Sequence, residues 1–301
     1  MRLYSRRRWL LHSLVAAASL YLPACTRIPH RSNSGGLRMV FYTDVHAMAA
    51  RGAADAVLIA AQAINQLKPD IIIGGGDYID GGFDSTRSAM APHWDIYMRM
   101  RRALEADHYP VIGNHDITGA LIYADPHRDY RDRMGIARTW YAFDAGGYHF
   151  IMLDSMTIVG GELGYEGRID AEQMAWLQSD LARTPKSTPI ILTLHMPLLT
   201  NVFAATKGNS VLAPANRVMV DNLAILGLFA EHRLLLVLQG HLHVAEVIRW
   251  RNTTFITGGA VCANWWRGAY LGTEEGFYVI DLEGDKVNWQ YVDYGWHADE
   301  V

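Results

Sequence analysis

Seven residues carry the chemistry open to this sequence: Asp44, His46, Asp77, Asn114, His195, His241 and His243. They fall in five clusters along the chain, each after an apolar run. Carboxylate, imidazole and amide groups form a mixed oxygen and nitrogen donor set without thiolate. Such a set suits manganese, iron or zinc, and it holds two metal ions if one carboxylate bridges them. Each cluster alone says little. Asp44-Val45-His46 is a D-x-H triplet of the kind that arises by chance. Asp77 after three glycines can cap a turn, and Asn114 tolerates turn conformations. A lone His195 is more often a satisfied buried histidine than a ligand. Gly240-His241-Leu242-His243 is stronger, because imidazoles at alternate positions of a strand end need a reason. The argument lies in the ordered set.

The runs that must position these groups span residues 37–43, 70–73, 109–112, 189–194 and 234–238. Continuous apolar runs of this length predict strands buried on both faces. Helical spacing occupies 53–67, 94–106, 170–182 and 217–231. Asp170 is an N-cap signal, with Gln173 at the capping-box position. Strand and helix alternate, which predicts an α/β arrangement with ligands beyond the carboxyl ends of the strands. After residue 245 the pattern changes to antiparallel strands over 245–251, 253–257, 277–282 and 287–294. Glu283-Gly284-Asp285-Lys286 forms the last hairpin turn. The expected fold is α/β (α+β), a four-layer αββα sandwich of two mixed sheets flanked by helices.

The ordered set resembles the calcineurin-like metallophosphoesterases. Their motifs stand here as Asp44-Val45-His46, Gly76-Asp77-Tyr78-Ile79-Asp80, Gly113-Asn114-His115-Asp116, His195-Met196-Pro197 and Gly240-His241-Leu242-His243. One small departure is Leu194, where glycine is common. The resemblance covers residues 38–260 and implies a ligand set. Asp44, His46, Asp77 and His243 would hold one metal; Asp77, Asn114, His195 and His241 would hold the other. Two cations about 3.5–4 Å apart would bind phosphate oxygens and acidify a water that attacks phosphorus. His115 would then be catalytic rather than a ligand, donating a proton or hydrogen bond to the leaving group when protonated. Asp80 matches the carboxylate that orients this histidine, and Asp116 reads as a turn or supporting residue. The layout, with 164–181 included, looks like the cyclic-nucleotide and glycerophosphodiester branch of the family; that helix itself says little about substrate, and a phosphodiester is the favoured one. A phosphomonoesterase or pyrophosphatase is the alternative; a non-catalytic, metal-stabilised binding protein is a second class.

Neighbouring chemistries are disfavoured. Purple acid phosphatases carry glycine where His46 stands and a metal-binding tyrosine where Asp80 stands, so no tyrosinate colour is expected. No G-x-S-x-G elbow is present for acyl hydrolysis. For substrate recognition, Asn264 and Arg267 are candidates, since a guanidinium fork matches phosphate oxygens. Trp265 and Trp266 read as sheet-edge packing and Cys262 as a small buried residue. The long segment 198–216 reads as a lid in which Asn201 and Lys207 are solvated.

The N-terminal third of the first hundred residues is an address rather than a fold. Arg2, Arg6, Arg7 and Arg8 precede an apolar run over 9–22, the pattern of an export signal. Ser5-Arg6-Arg7-Arg8-Trp9-Leu10-Leu11 looks like a twin-arginine signal, and Leu22-Pro23-Ala24-Cys25 resembles a lipoprotein cleavage box that would lipidate Cys25. The expected division is signal 1–25, linker 26–36 and one domain 37–301. The implied partners are the twin-arginine export machinery, a membrane reached through Cys25 and a small phosphoester, at a periplasmic or outward-facing location. With a net charge of −4 the chain has no basic excess for a nucleic-acid polymer. Only two cysteines argue against a disulfide framework.

Overall fold

Residues 36–161 and 164–298 are described in the computed structural model of the chain. The signal, Cys25 and all of the linker but Gly36 lie outside the described residues. In chain order the first elements are β1 (Leu37–Tyr42), α1 (Ala53–Gln66), β2 (Ile71–Gly74), α2 (Arg87–Ala103) and β3 (Asp107–Pro110). A 3-10 turn at Asn114–Asp116 and α3 (Arg128–Met134) follow. Then come β4 (Tyr141–Ala145), β5 (Tyr148–Met152), β6 (Met156–Gly160), β7 (Gly164–Gly167), α4 (Ala171–Arg183) and β8 (Pro189–Thr193). The last are α5 (Val202–Lys207), α6 (Asn222–Leu228), β9 (Arg233–Gln239), β10 (Glu246–Trp250), β11 (Thr253–Thr257), β12 (Gly276–Glu283) and β13 (Lys286–Asp293).

Two mixed sheets result, ordered β13-β12-β1-β2-β3 and β10-β11-β9-β8-β5-β4, with β6-β7 a separate hairpin. Strand alternation explains the layering. Met39, Phe41, Ile71 and Ile73 point into a core shared with Phe150, Ile191 and Leu238 of the other sheet. Their neighbours Val40, Tyr42 and Ile72 join a core with Val57, Ile64 and Trp94 of α1 and α2. Both faces of the central strands are thus covered, which is why they read as unbroken apolar runs. β9 carries one extra residue against β8, since Ile190 pairs with Leu234 and Ile191 with Leu236. That bulge lets Leu235 and Leu236 both face the inter-sheet core.

Several boundaries differ from the sequence reading. α2 starts at Arg87, where Thr86 caps it through a 3.3 Å bond from the Ala89 N–H. Pro92 lies inside that helix, and its missing N–H reads as a break. Within 217–231 only Asn222–Leu228 is helical. Strand β11 is antiparallel to β10 but parallel to β9, so it was only half anticipated. β4 and β5 form an unanticipated hairpin about Gly146 and Gly147, whose φ angles are 59° and 85°. Asp170 does cap α4, accepting from Gln173 N at 2.7 Å. The Gln173 side chain does not close a capping box; its amide pairs with both backbone groups of Asp154 at 2.9 and 2.8 Å.

Candidate metal centre

The parallel strands β1, β2, β8 and β9, with the segment after β3, end at one pole, and the chain leaves them in unusual conformations. Asp44, His46, Asp77, His241 and His243 have φ of 53°, 43°, 54°, 71° and 56°. Left-handed backbone costs a non-glycine residue roughly 1–3 kcal/mol, and it persists only where the surroundings dictate it. Backbone bonds do so here: Asp44 N to Gly76 O at 2.9 Å, His46 N to Asp77 O at 3.0 Å, and Gly240 N to His195 O at 2.8 Å. Gly113 must be glycine, because a Cβ there would meet the Asp77 amide and carboxylate.

These turns bring six of the seven residues together through measured contacts. Asp77 Oδ2 lies 3.1 Å from His195 Nε2 and 3.6 Å from His46 Nε2. Asp44 Oδ1 lies 3.3 Å from His243 Nε2 and 3.8 Å from His46 Nε2. His46 Nε2 and His243 Nε2 are 3.1 Å apart, and His195 Nε2 and His241 Nδ1 are 3.2 Å apart. Asn114 is buried after β3, beside His115.

Backbone carbonyls set which imidazole nitrogens face inward. His195 Nδ1 donates to Gly75 O at 2.7 Å, His243 Nδ1 to Ala263 O at 2.6 Å, and His241 Nε2 to Asn216 O at 3.0 Å. The opposite nitrogens therefore carry lone pairs, and they are the ones that converge. Carboxylates are sorted in the same way. Asp77 Oδ1 accepts from His115 N at 2.8 Å, which leaves Oδ2 for the imidazoles. Asp44 Oδ2 accepts from Thr43 Oγ1 at 2.6 Å and from His241 N at 3.0 Å. Asp44 Oδ1 and Asn114 Oδ1 are buried without a hydrogen-bond partner. An unpaired buried acceptor costs about 1–3 kcal/mol. Lone pairs facing lone pairs beside an unpaired carboxylate oxygen and an unpaired amide oxygen fit cations, and separations near 3.1 Å match ligand edges for metal–nitrogen bonds of roughly 2.0–2.1 Å.

Charge agrees with this fit. Burial alone would raise the Asp44 carboxyl, but His243 and His195 hold it well below the usual range. Asp77 is likewise lowered, with burial opposed by His195 and His115. Burial works against charge on His195, yet Asp77 and Asp44 bring it up to about 9. The cluster is a sink for positive charge.

A family model described as calcineurin-like phosphoesterase matches residues 37–245. The chain belongs to the calcineurin-like phosphoesterase family. The two-sheet sandwich described above is that family's fold. Purple acid phosphatase 22 of Arabidopsis thaliana is 27% identical over 61% of this chain and 40% of its own length. Purple acid phosphatase 23 of the same plant is 28% identical over 37% and 25%. The chain thus spans well under half the length of these relatives. A dimetal phosphatase structure from Danio rerio superposes with a TM-score of 0.61, at 14% identity, over 86% of this chain and 99% of that one.

Within this calcineurin-like frame the catalytic candidates sit differently from the sequence reading. His115 Nδ1 accepts from Gly81 N at 3.2 Å, so its hydrogen is on Nε2. Burial pushes its pKa down to about 4 despite Asp77 and Asp80 nearby. Burial thus disfavours the imidazolium form of this ring. Asp80 faces His46 instead, with Oδ1 3.7 Å from His46 Nδ1; the bond that orients His115 comes from backbone. Asp116 is a supporting residue, accepting from Asp77 N, Gly113 N and Tyr78 N at 2.9, 2.9 and 2.8 Å. Tyr78 packs against Tyr97 and Tyr130, and burial holds its phenol well above the ordinary range. Nothing there favours a phenolate ligand.

The segment after β11 does more than pack a sheet edge. Trp265 stacks on His243 with centroids 4.3 Å apart and lies 5.4 Å from His46. Trp266 is buried, and its Nε1 donates to His46 O at 2.9 Å. Ala263, Trp265 and Trp266 have φ of 40°, 50° and 64°, the same strained backbone as the ligand candidates. Their run after a strand end was the available signal. Cys262 is buried, as expected. Asn264 and Arg267 close a turn, Arg267 N bonding Asn264 O at 3.1 Å. Among the described residues neither side chain has a hydrogen-bond partner, and Arg267 is exposed. Asn201 and Lys207 are exposed too, whereas Asn216, at the end of the same segment, reaches the centre through its carbonyl.

Proposed function

We propose that this chain is an exported phosphoesterase with a binuclear metal centre, and that phosphodiesters are its preferred substrates. One observation carries the metal reading: a single oxygen, Asp77 Oδ2, faces both His46 and His195, each beside a second imidazole nitrogen. Asp44, His46, Asp77 and His243 would hold one ion, and Asp77, Asn114, His195 and His241 the other. Iron, manganese or zinc fits these donors. Once bound, the ions would supply Lewis acidity toward the phosphate oxygens and toward an attacking water.

The chain's own groups do the rest. Carbonyls of Gly75, Ala263 and Asn216 keep three histidines in the tautomer that presents a lone pair inward. Asp80 stands 3.7 Å behind His46 Nδ1, where its charge favours a hydrogen on that nitrogen and a lone pair on Nε2. His115, with its hydrogen on Nε2, donates to the leaving oxygen as charge develops there. Trp265 walls the centre beside His243 and limits water access. Asn264 and Arg267 stay in the proposal as residues that contact substrate from the neighbouring turn.

Export rests on the arginine-rich start and apolar run over residues 1–25, with twin-arginine translocation and lipidation of Cys25 placing the enzyme in the periplasm or at its membrane face. Folding before export would let the enzyme load iron or manganese in the cytoplasm. The test is hydrolysis of bis-p-nitrophenyl phosphate and p-nitrophenyl phosphate with added manganese. Faster turnover of the diester supports the proposal. Faster turnover of the monoester overturns the diester preference, and no turnover of either with metal bound overturns the enzyme reading.

A further inference from the structure

The pole opposite the metal centre carries a surface of its own. β9 starts there at Arg233, and His241 lies eight residues further on. At about 3.3 Å per residue the two poles are roughly 25 Å apart. A cavity of about 620 Å³ opens at this far pole, lined by Arg233, Arg249, Trp250, Arg251 and Asp285 among others. Trp250 is 58% exposed at the end of the edge strand β10, on the turn into β11. It lies between two arginines. The Arg249 guanidinium sits 5.1 Å over Trp289, and that of Arg251 sits 5.9 Å over Trp250.

Two other cations at this pole already have carboxylate partners. Arg233 pairs with Asp285, and Lys186 lies 3.5 Å from Glu231. Among the described residues neither Arg249 nor Arg251 has a carboxylate partner. A guanidinium stacked on an indole keeps its N–H edge free for anionic oxygens. An exposed tryptophan flanked by such groups suits a boundary between water and lipid, where the ring is half solvated.

The path of the chain points the same way. Gly36 packs against Leu282 and Glu283, beside the turn that joins β12 to β13. Asp285, in that turn, lines the cavity. The described residues therefore begin, at Gly36, at the pole that bears Trp250, with 35 residues of sequence, the arginine-rich start and Cys25 among them, preceding that point.

We propose that this pole is a membrane-docking surface, with Arg249 and Arg251 binding anionic lipid headgroups and Trp250 seated at the interface. Docked this way, the metal centre faces away from the bilayer, open to soluble substrate. The inference rests on the export reading only for which membrane is met; the surface itself stands apart from it.

The experiment is co-sedimentation of the full chain carrying Cys25→Ser, with vesicles of phosphatidylglycerol and phosphatidylcholine or of phosphatidylcholine alone. The double variant Arg249→Gln, Arg251→Gln should bind the anionic vesicles about 25-fold more weakly, about fivefold for each charge. Residues 1–35 are common to both proteins, so the two are compared at lipid concentrations where the parent is about half bound and neither partition is saturated. Quenching of tryptophan fluorescence by brominated lipid should fall in Trp250→Phe. Equal partition of parent and double variant, or unchanged quenching in Trp250→Phe, would overturn the proposal. Hydrolysis of bis-p-nitrophenyl phosphate reports separately on the catalytic reading and should be equal in all these proteins. Vesicle binding with no hydrolysis in any of them would sink the enzyme reading and leave this surface intact.

Discussion

Replacing Trp266 by phenylalanine isolates one bond between the segment after β11 and the metal centre. Trp266 Nε1 donates to the carbonyl of His46 at 2.9 Å, and both residues are buried. Phenylalanine keeps an aromatic ring but removes the donor. The His46 carbonyl then stays buried and unpaired, at a cost of about 1–3 kcal/mol. The lost ring volume, ~40 Å³, adds about 1 kcal/mol if the site does not collapse. The sum, roughly 2–4 kcal/mol, corresponds to a melting temperature lower by about 4–8 °C for a domain of this size. Part of that energy holds the strained turn at His46, so metal affinity should also fall by about tenfold, the lower end for residues that support a ligand. Calorimetric melting with and without manganese, and manganese titration, measure the two effects. Trp265→Phe is the control, since Trp265 stacks on His243 without a described side-chain hydrogen bond. If Trp266→Phe matched the parent in both melting and affinity, the claim that this segment supports the centre would fail.

Other consequences are equally concrete. His115→Ala should lower kcat by about 10²–10⁴ while metal content by elemental analysis stays at the parent value; loss of metal would make His115 a ligand instead. Because burial holds His115 near a pKa of about 4, it is neutral above that pH. The kcat profile between pH 5.5 and 8 should then have no limb that His115→Asn removes. At the protein's surface, burial opposes charge on His149, but Asp180 and Asp144 at 2.8 and 2.7 Å more than offset it and raise its pKa. A raised pKa means stability present below the unfolded value of about 6.5 and lost as pH rises through the folded one. Urea melts should show His149→Gln least stable relative to the parent near pH 6, with the gap closing by pH 9; a gap that widens with pH would refute the sign. Gly113→Ala drives a Cβ into the Asp77 amide and carboxylate, so it should reduce both metal content and melting temperature, and an unchanged protein would show that this turn can relax.

The parts of the molecule that were legible in the sequence share a cause. Central strands covered on both faces are apolar at nearly every position, Arg38 of β1 being buried only because it pairs with Asp281, so β1, β2, β8 and β9 stand out as runs, and their ends locate the site. Asp170 was legible because an N-cap is a local interaction. The β4–β5 hairpin left a signal too, Gly146-Gly147 between two apolar stretches, but β4 is half exposed and looks weaker. The parallel pairing of β11 with β9 has no local signature, since partner choice depends on the whole sheet. The same holds for Trp266, whose bond to His46 joins residues 220 apart. Asp80 shows what a motif leaves open, the partner of a side chain: its carboxylate lies 3.7 Å from His46 Nδ1. Gln173 had the right residue type for a capping box, but the backbone of Asp154 competes for its amide and wins.

The central claim is that Asp77 joins two metal ions in one centre. Elemental analysis of the full chain after manganese loading and dialysis tests it most directly, with Asp77→Ala treated alongside. The account predicts about two ions per parent chain and a loss of both in the variant, because each ion would lose a ligand. A parent that holds no more than one ion, or a variant that retains the parent's content, would contradict it.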